Sequence, residues 1–291
     1  MKSPISIVIP TLEDAKLLER CISSLQAEVD RRGVGDEILC VDDTGQDLIG
    51  GTFDDSVRVL PNSSNLGFAR AALAGARAAT HELLFLMNPD VILRPGALDA
   101  LSETLEANSD VHAVAPYVLL NGEQDTAESV PELVLVDGIP QVARQSVVVI
   151  AGQVCAEYPR GIPVAFALGG ACLMRRSQFI AEPFDERFEP FYWEDVDLGK
   201  RAWNAGKRVL VDPRAVAEHH HRGTIASYVP APLVRAAIEK NRLLYAWKHL
   251  QGSELEEHLH ALSARVMEHS LAEDREELEW LVLALESQAA R

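Results

Sequence analysis

The sequence predicts an α/β fold, a mostly parallel central sheet flanked by helices on both faces. Three observations predict it. Short apolar runs alternate with helical stretches in the order β-α-β-β-α-β-α over residues 5–107. The strand runs are almost continuously hydrophobic, as strands covered on both faces are. Polar residues (Thr11, Asp42, Asp43, Asn88 and Asp90) fall where three of these runs end. In such sheets ligands bind beyond the carboxyl ends of the strands.

The elements follow in order. Ile5–Pro10 is rich in β-branched residues and ends on proline, which reads as a buried strand. Leu17, Leu18, Cys21, Ile22 and Leu25 place a helical stripe on 14–30. Glu37–Val41 and Val57–Leu60 read as strands, the Ala-rich 67–80 as a helix, and Glu82–Met87 as a fourth strand. Pro95 sits at the start of a helix over 95–107. The second half is less regular. Val111–Leu120 and Ser146–Ile150 read as strands around a Pro/Gly/acid-rich excursion, 121–145. An apolar run over 162–174 contains Gly169-Gly170, 194–205 reads as a helix, and Arg208–Val211 as a strand. From Ala231 the pattern is helical, with Leu255, Leu259, Leu262 and Val266, then Leu278, Leu281 and Leu285, as its packing stripe.

Composition excludes several classes. The 291 residues suit one large α/β unit or two domains. Against 44 Asp+Glu stand 27 Lys+Arg, a net charge of −17, which repels nucleic-acid phosphates and anionic lipid headgroups. The four cysteines have no zinc-ribbon spacing, and a reduced cytoplasmic setting is expected. No stretch reaches the ~18 apolar residues of a membrane span.

Five segments can carry chemistry. Asp42-Asp43 can accept hydrogen bonds from a base or ribose, or simply organise a turn. In Asn88-Pro89-Asp90 a carboxylate can hold Mg²⁺ or Mn²⁺, which share oxygen ligands with phosphates; a plain turn is the alternative. Glu194-Asp195-Val196-Asp197 follows Phe191-Tyr192-Trp193, and aromatic walls can lift a carboxyl toward general-base duty. An acidic helix N-terminus is the alternative. His219-His220-His221 can supply a metal ligand or form a polar loop. Asn65-Leu66-Gly67 opens a helix whose N-terminus can attract phosphate.

In this order, ISIVIPTLED, EILCVDDTGQD, NSSNLGFARAALAGA, LLFLMNPDVILRPGAL, ALGGACLMRR, FYWEDVDLGKRAWNAGKRVLVDP and EHHHRGT resemble family 2 of the glycosyltransferases, particularly its bacterial rhamnosyltransferase-like and galactofuranosyltransferase-like members. The resemblance spans about residues 5–225. It implies the GT-A fold, with a catalytic domain over 1–229 (nucleotide half 1–110, acceptor half 111–229) and a helical segment over 230–291. It implies that Pro10, Thr11 and Glu13 line the nucleotide pocket, that Asp42 reads a pyrimidine, and that Asn65 and Gly67 lie near the nucleotide. Asn88 and Asp90 take the place of the D-x-D motif, with Asp90 on metal and pyrophosphate. Gly169 and Gly170 shape the acceptor side, with Gly170 also among the residues that bind the nucleotide-sugar. Asp195, beside Glu194, matches the catalytic base, and His219 the late metal ligand, with His220 or His221 as the other registers. The implied reaction is inverting transfer from a UDP- or dTDP-sugar to a glycan or lipid-linked acceptor, with a divalent Mg or Mn cofactor, no nucleic-acid partner and peripheral membrane contact at most. Asn88 departs from the usual first Asp, Leu12-Glu13 from an aromatic and Asn, and Leu73 from an Asn. Lys240, Asn241 and Arg242 would lie on a solvated helix face or approach the phosphates. The C-terminal helices would pack on the catalytic domain or on a second copy in a homo-oligomer. A sugar nucleotidyltransferase would need a Gly-rich loop where Thr11-Leu12-Glu13-Asp14 stands. A non-catalytic scaffold with a degenerate site is the reading from another class.

Overall fold

A computed structural model describes residues 2–12, 15–121, 125–220, 229–271 and 275–289. Glu13 and His221 lie outside the described residues.

The first half forms as its pattern predicts. Strands β1 (Ile5–Thr11), β2 (Glu37–Asp42), β3 (Val57–Pro61) and β4 (Leu83–Met87) are parallel neighbours in the order β3-β2-β1-β4. Every residue of β1 and β4 is buried. Alternation along β1 sends Ile5, Ile7 and Ile9 to one face and Val8 to the other. The first face is covered by helices α1 (Ala15–Arg32) and α3 (Ala97–Ala107) through Leu18, Ile22, Leu25, Leu98 and Leu101. The second is covered by α2 (Phe68–Ala78), whose Ala69, Ala72 and Ala76 let it lie close to the strands. Gly75 completes that approach, since a Cβ there would stand 2.3 Å from Val8.

The sheet continues as β4-β10-β6-β11-β5. Here β5 is Val91–Leu93, β6 Val111–Leu120, β10 Ala171–Arg175 and β11 Arg208–His219. β10 is antiparallel to both neighbours, β6 and β11 are parallel, and β5 runs antiparallel along β11, as does the short β9 (Ile162–Pro163). Two further helices, α4 (Arg176–Ala181) and α5 (Glu194–Asn204), flank this half.

Four expectations need correction. The excursion over 121–145 contains a hairpin, β7 (Pro131–Val136) and β8 (Ile139–Arg144). Asp137 and Gly138, both at positive φ, make its two-residue turn, as Asp-Gly between apolar strands does. Ser146–Ile150 is not a strand; Val148 and Ile150 are 88% and 60% exposed. β11 runs eight residues past Val211 to His219, because Asp212–Val216 forms a bulge that absorbs Pro213 without ending the strand. At the C-terminus stand α6 (Ala231–His249), α7 (Gly252–Leu271) and α8 (Arg275–Ala289). Their packing centres on Leu262, Trp280 and Ala284 against Ala236 and Leu243, while Leu259 and Leu285 of the expected stripe are exposed. All four cysteines are buried free thiols. Among the described residues, no helix is long and apolar enough to cross a membrane.

Candidate functional site

The carboxyl ends of β1, β2 and β4 lie side by side. Thr11 and Asp42 are paired in register, and Pro10 beside Thr11 is buried. The Thr11 hydroxyl is buried without a hydrogen bond. Asp42 is fully buried, and its carboxylate accepts from Thr44 N (3.0 Å), Thr44 Oγ1 (2.6 Å) and Ile49 N (3.1 Å). Burial pushes its pKa up, but these hydrogen bonds outweigh it and hold the carboxyl below its usual value. In this conformation Asp42 organises the loop after β2. Asp43 accepts from Asn62 Nδ2 (2.7 Å), Leu66 N and Gly67 N (both 2.9 Å), tying the end of β2 to the Asn65–Gly67 turn. Asn65 Oδ1 also accepts from Gly67 N (2.9 Å). Gly67, at φ 86°, starts α2. A Cβ there would collide with the Glu189 carboxylate.

Asn88 and Asp90 stand beyond β4. The Asn88 amide nitrogen donates to Gly170 O (2.8 Å), and a Cβ on Gly170 would lie 2.3 Å from the Asn88 side chain. The Gly169-Gly170 pair thus brings the turn after β4 against the backbone entering β10. Gly169 N in turn donates to Asp195 Oδ2 (3.1 Å). Through these two glycines, Asn88–Asp90 and Asp195 are neighbours.

The long β11 delivers His219 to the same place. Its Nε2 stands 3.5 Å from Asp90 Oδ1, and its Nδ1 3.2 Å from Glu128 Oε2. Burial alone would lower the His219 pKa, but the flanking carboxylates push it up to about 10. His220 turns toward Glu218 (3.9 Å), so of the two described histidines it is His219 that meets Asp90. Glu128 belongs to the acid-rich excursion, and nothing in its local sequence distinguishes it from its neighbours.

Glu194 and Asp195 open α5. Asp195 is half-buried, and its Oδ1 accepts from Val196 N (2.8 Å). Burial raises its pKa to about 6 against the lowering effect of the Gly169 and Val196 amides, with the Glu128 charge adding to the rise. Glu194 is buried with Oε2 unbonded; burial and the adjacent Asp195 charge raise its pKa well above the usual range. Burial thus raises both carboxyls, and the charge of each neighbouring acid adds to the rise. Tyr192 and Trp193, which lead into α5, both have positive φ (70° and 73°). Such strain persists only where the surroundings hold it.

A divalent cation fits part of this arrangement. Asp90 Oδ1 is buried with no hydrogen bond, and His219 Nε2 lies beside it. A carboxylate oxygen and an imidazole nitrogen suit Mn²⁺ or Mg²⁺. Among the described residues, no group of three or more His, Cys, Asp or Glu side chains forms a full cage. Two protein ligands leave coordination positions for phosphate oxygens.

Residues 6–178, more than half of the chain, match the family described as Glycosyl transferase family 2. The chain belongs to that family. A relative from Mycobacterium tuberculosis H37Rv, N-acetylglucosaminyl-diphospho-decaprenol L-rhamnosyltransferase, is 31% identical over 57% of this family 2 chain and 59% of its own length. Pre-mycofactocin glycosyltransferase of the same strain is 27% identical over 77% of this chain and 44% of its own. The chain thus spans less than two thirds of either relative. In fold it is similar to GalNAc-T7, whose crystal structure holds UDP, GalNAc and Mn²⁺ (TM-score 0.64, 14% identity, 84% of this chain and 47% of that one). That likeness makes the architecture GT-A.

Lys240 and Asn241 require a correction. They are neither on a solvated face nor free to meet phosphates, because both are buried and bonded to the backbone before α5. A face read from composition alone hid them; the only signal was two polar residues inside an otherwise apolar helical stripe.

Proposed function

We propose that this chain transfers a sugar from a nucleoside diphosphate sugar, with UDP or dTDP as carrier, to a hydroxyl of a glycan or lipid-linked acceptor, with inversion. The observation that carries the proposal is the convergence of Asp195, ionised and aimed by two backbone amides, with the Asp90–His219 pair at the strand ends. The acceptor oxygen forms a bond to the anomeric carbon as the bond from that carbon to the diphosphate oxygen breaks, and the electron pair leaves with the diphosphate. Asp195 takes the hydroxyl proton; a carboxylate with a pKa of about 6 is a stronger base than an ordinary one and is still ionised at pH 7. Asp90 and His219 would hold the divalent cation, Mg²⁺ or Mn²⁺, whose charge stabilises the departing diphosphate. Pro10, Thr11, Asp42, Asn65, Gly67, Asn88 and Gly170 would form the donor cleft, with Asp42 reaching a base only if the loop over 44–49 yields a bond. Support for the donor class comes from the UDP held by the GT-A neighbour, and for a lipid-linked acceptor from the name of the rhamnosyltransferase relative. A lipid-linked acceptor implies work at the cytoplasmic face of a membrane.

Thermal unfolding with UDP, dTDP, GDP or ADP, each with and without Mn²⁺, tests this reading. A binder at 100 times its Kd stabilises by about 2.7 kcal/mol. The expected outcome is a Mn²⁺-dependent shift with a pyrimidine diphosphate, lost in Asp90→Asn. No shift with any nucleotide overturns the donor site.

A further inference from the structure

We infer that Lys240 and Asn241 are positioning residues for the base Asp195, so that α6 is a working part of the catalytic unit. This inference rests on the transfer reading above.

The backbone over 187–193 makes a tight, irregular approach to α5. Its carbonyls at Arg187, Phe188, Glu189, Phe191 and Tyr192 are taken up by only two side chains, both from α6. Lys240 Nζ donates to Arg187 O (3.0 Å) and to Glu189 O. Asn241 Nδ2 donates to Phe188 O (2.6 Å), Phe191 O (2.8 Å) and Tyr192 O (2.7 Å), its two hydrogens shared among three acceptors. Asn241 is fully buried, and its donor nitrogen faces carbonyls alone.

The same helix grips the far side of the catalytic turn. Lys248 Nζ meets Asp197 Oδ1 (2.7 Å) and Asp185 Oδ2 (2.8 Å), and His249 Nε2 meets Asp197 Oδ1 (2.7 Å). Tyr245 stacks on Trp193 with ring centroids 5.3 Å apart. Residues 240, 241, 245, 248 and 249 share one helical stripe. Thus α6 holds the segment before Asp195 by its carbonyls and the segment after it by the Asp197 carboxylate.

The physical need is plain in the backbone. Tyr192, at positive φ with its carbonyl held by Asn241, and Trp193 after it, also at positive φ, would relax if that hold were released. Relaxation would rotate the first turn of α5 and move Asp195 away from Gly169 N. Misplacing a base by about 1 Å costs on the order of 10²-fold in rate.

The test compares Lys240→Met, Lys240→Arg and Asn241→Ala with the native chain. It reads UDP and dTDP affinity with Mn²⁺, kcat for the sugar nucleotide that supports turnover, and amide exchange over residues 186–197 and 65–78. Expected are a kcat about 10²-fold lower in Lys240→Met and Asn241→Ala, nucleotide affinity within threefold of native, faster exchange over 186–197 alone, and recovery to within tenfold in Lys240→Arg. If Asn241→Ala fails to fold, the Lys240 pair decides. Variants with native kcat and exchange overturn the inference, as do variants whose nucleotide affinity falls in step with kcat. Absence of any transfer by the native chain overturns instead the reading beneath it.

Discussion

In the proposed transfer, Asp195 carries the heaviest burden of any single residue. Its carboxylate accepts from two backbone amides, one on each oxygen, so Asp195→Asn preserves size, removes the ability to take a proton and sets an NH2 group against one of the two amide donors. A positioned base is worth about 10²–10⁴-fold. The variant is therefore expected to lose at least 10²-fold in kcat while UDP or dTDP affinity stays near native. The pH dependence has a definite sign. A base must be unprotonated to act, so native kcat/KM falls as pH drops through about 6, the value to which burial lifts Asp195. A pH–rate profile flat down to pH 5 would remove Asp195 from that role.

At the scale of elements, α5 matters because it carries Asp195, the base of the proposed transfer, and its seating depends on Gly199. A Cβ at that position would stand 2.5 Å from Ala165 O and 2.6 Å from Phe166 Cβ, neither of which is the end of a flexible chain. Gly199→Ala gains helix propensity yet forces the helix off the β9–β10 connection. Overpacking of this kind costs about 1–3 kcal/mol. The measurable outcome is a lower urea midpoint than native together with reduced turnover, the opposite of the stabilisation that Gly→Ala brings at an open helical site. A native or higher midpoint would show that α5 shifts freely.

For the whole molecule, two groups of acids pull stability in opposite directions with pH. Asp197 and Asp185 are pushed up by burial, but Lys248, with His249 on Asp197 and Arg187 on Asp185, holds both below their usual range. Their contribution is full above the unfolded value of ~3.9 and is lost as pH falls through the native ones. Glu194 and Asp195 have raised values. The native state there binds protons more tightly than the unfolded chain, so stability gained below ~4 is lost as pH rises through about 6 and beyond. The metal-free chain should therefore be most stable near pH 5. Equilibrium urea unfolding in EDTA from pH 3 to 8 checks this, and in Glu194→Gln/Asp195→Asn the decline above pH 5 should flatten.

Much of this molecule is legible without coordinates. Continuous apolar runs at Ile5–Pro10, Glu37–Val41 and Glu82–Met87 can only be strands buried on both faces, and the helical stripes between them must cover those faces; local periodicity and the hydrophobic effect decide this. The same runs place Thr11, Asp42 and Asp90 at strand ends, because the apolar stretch stops where they begin, although the fold then buries all three. Asp137-Gly138 between apolar runs also carries a hairpin signal, one that the acid-rich composition of 121–145 hid. Tertiary structure alone decided the rest. It set His219 rather than His220 against Asp90, because the strand continues through the Pro213 bulge and adjacent side chains on it diverge. It brought Glu128 to His219 across 91 residues. It also buried Lys240 and Asn241 against the turn before Asp195, although a polar pair on a helix looks solvated. Such long-range pairs leave no periodic trace, since their partners are backbone carbonyls and distant carboxylates that only the folded chain assembles.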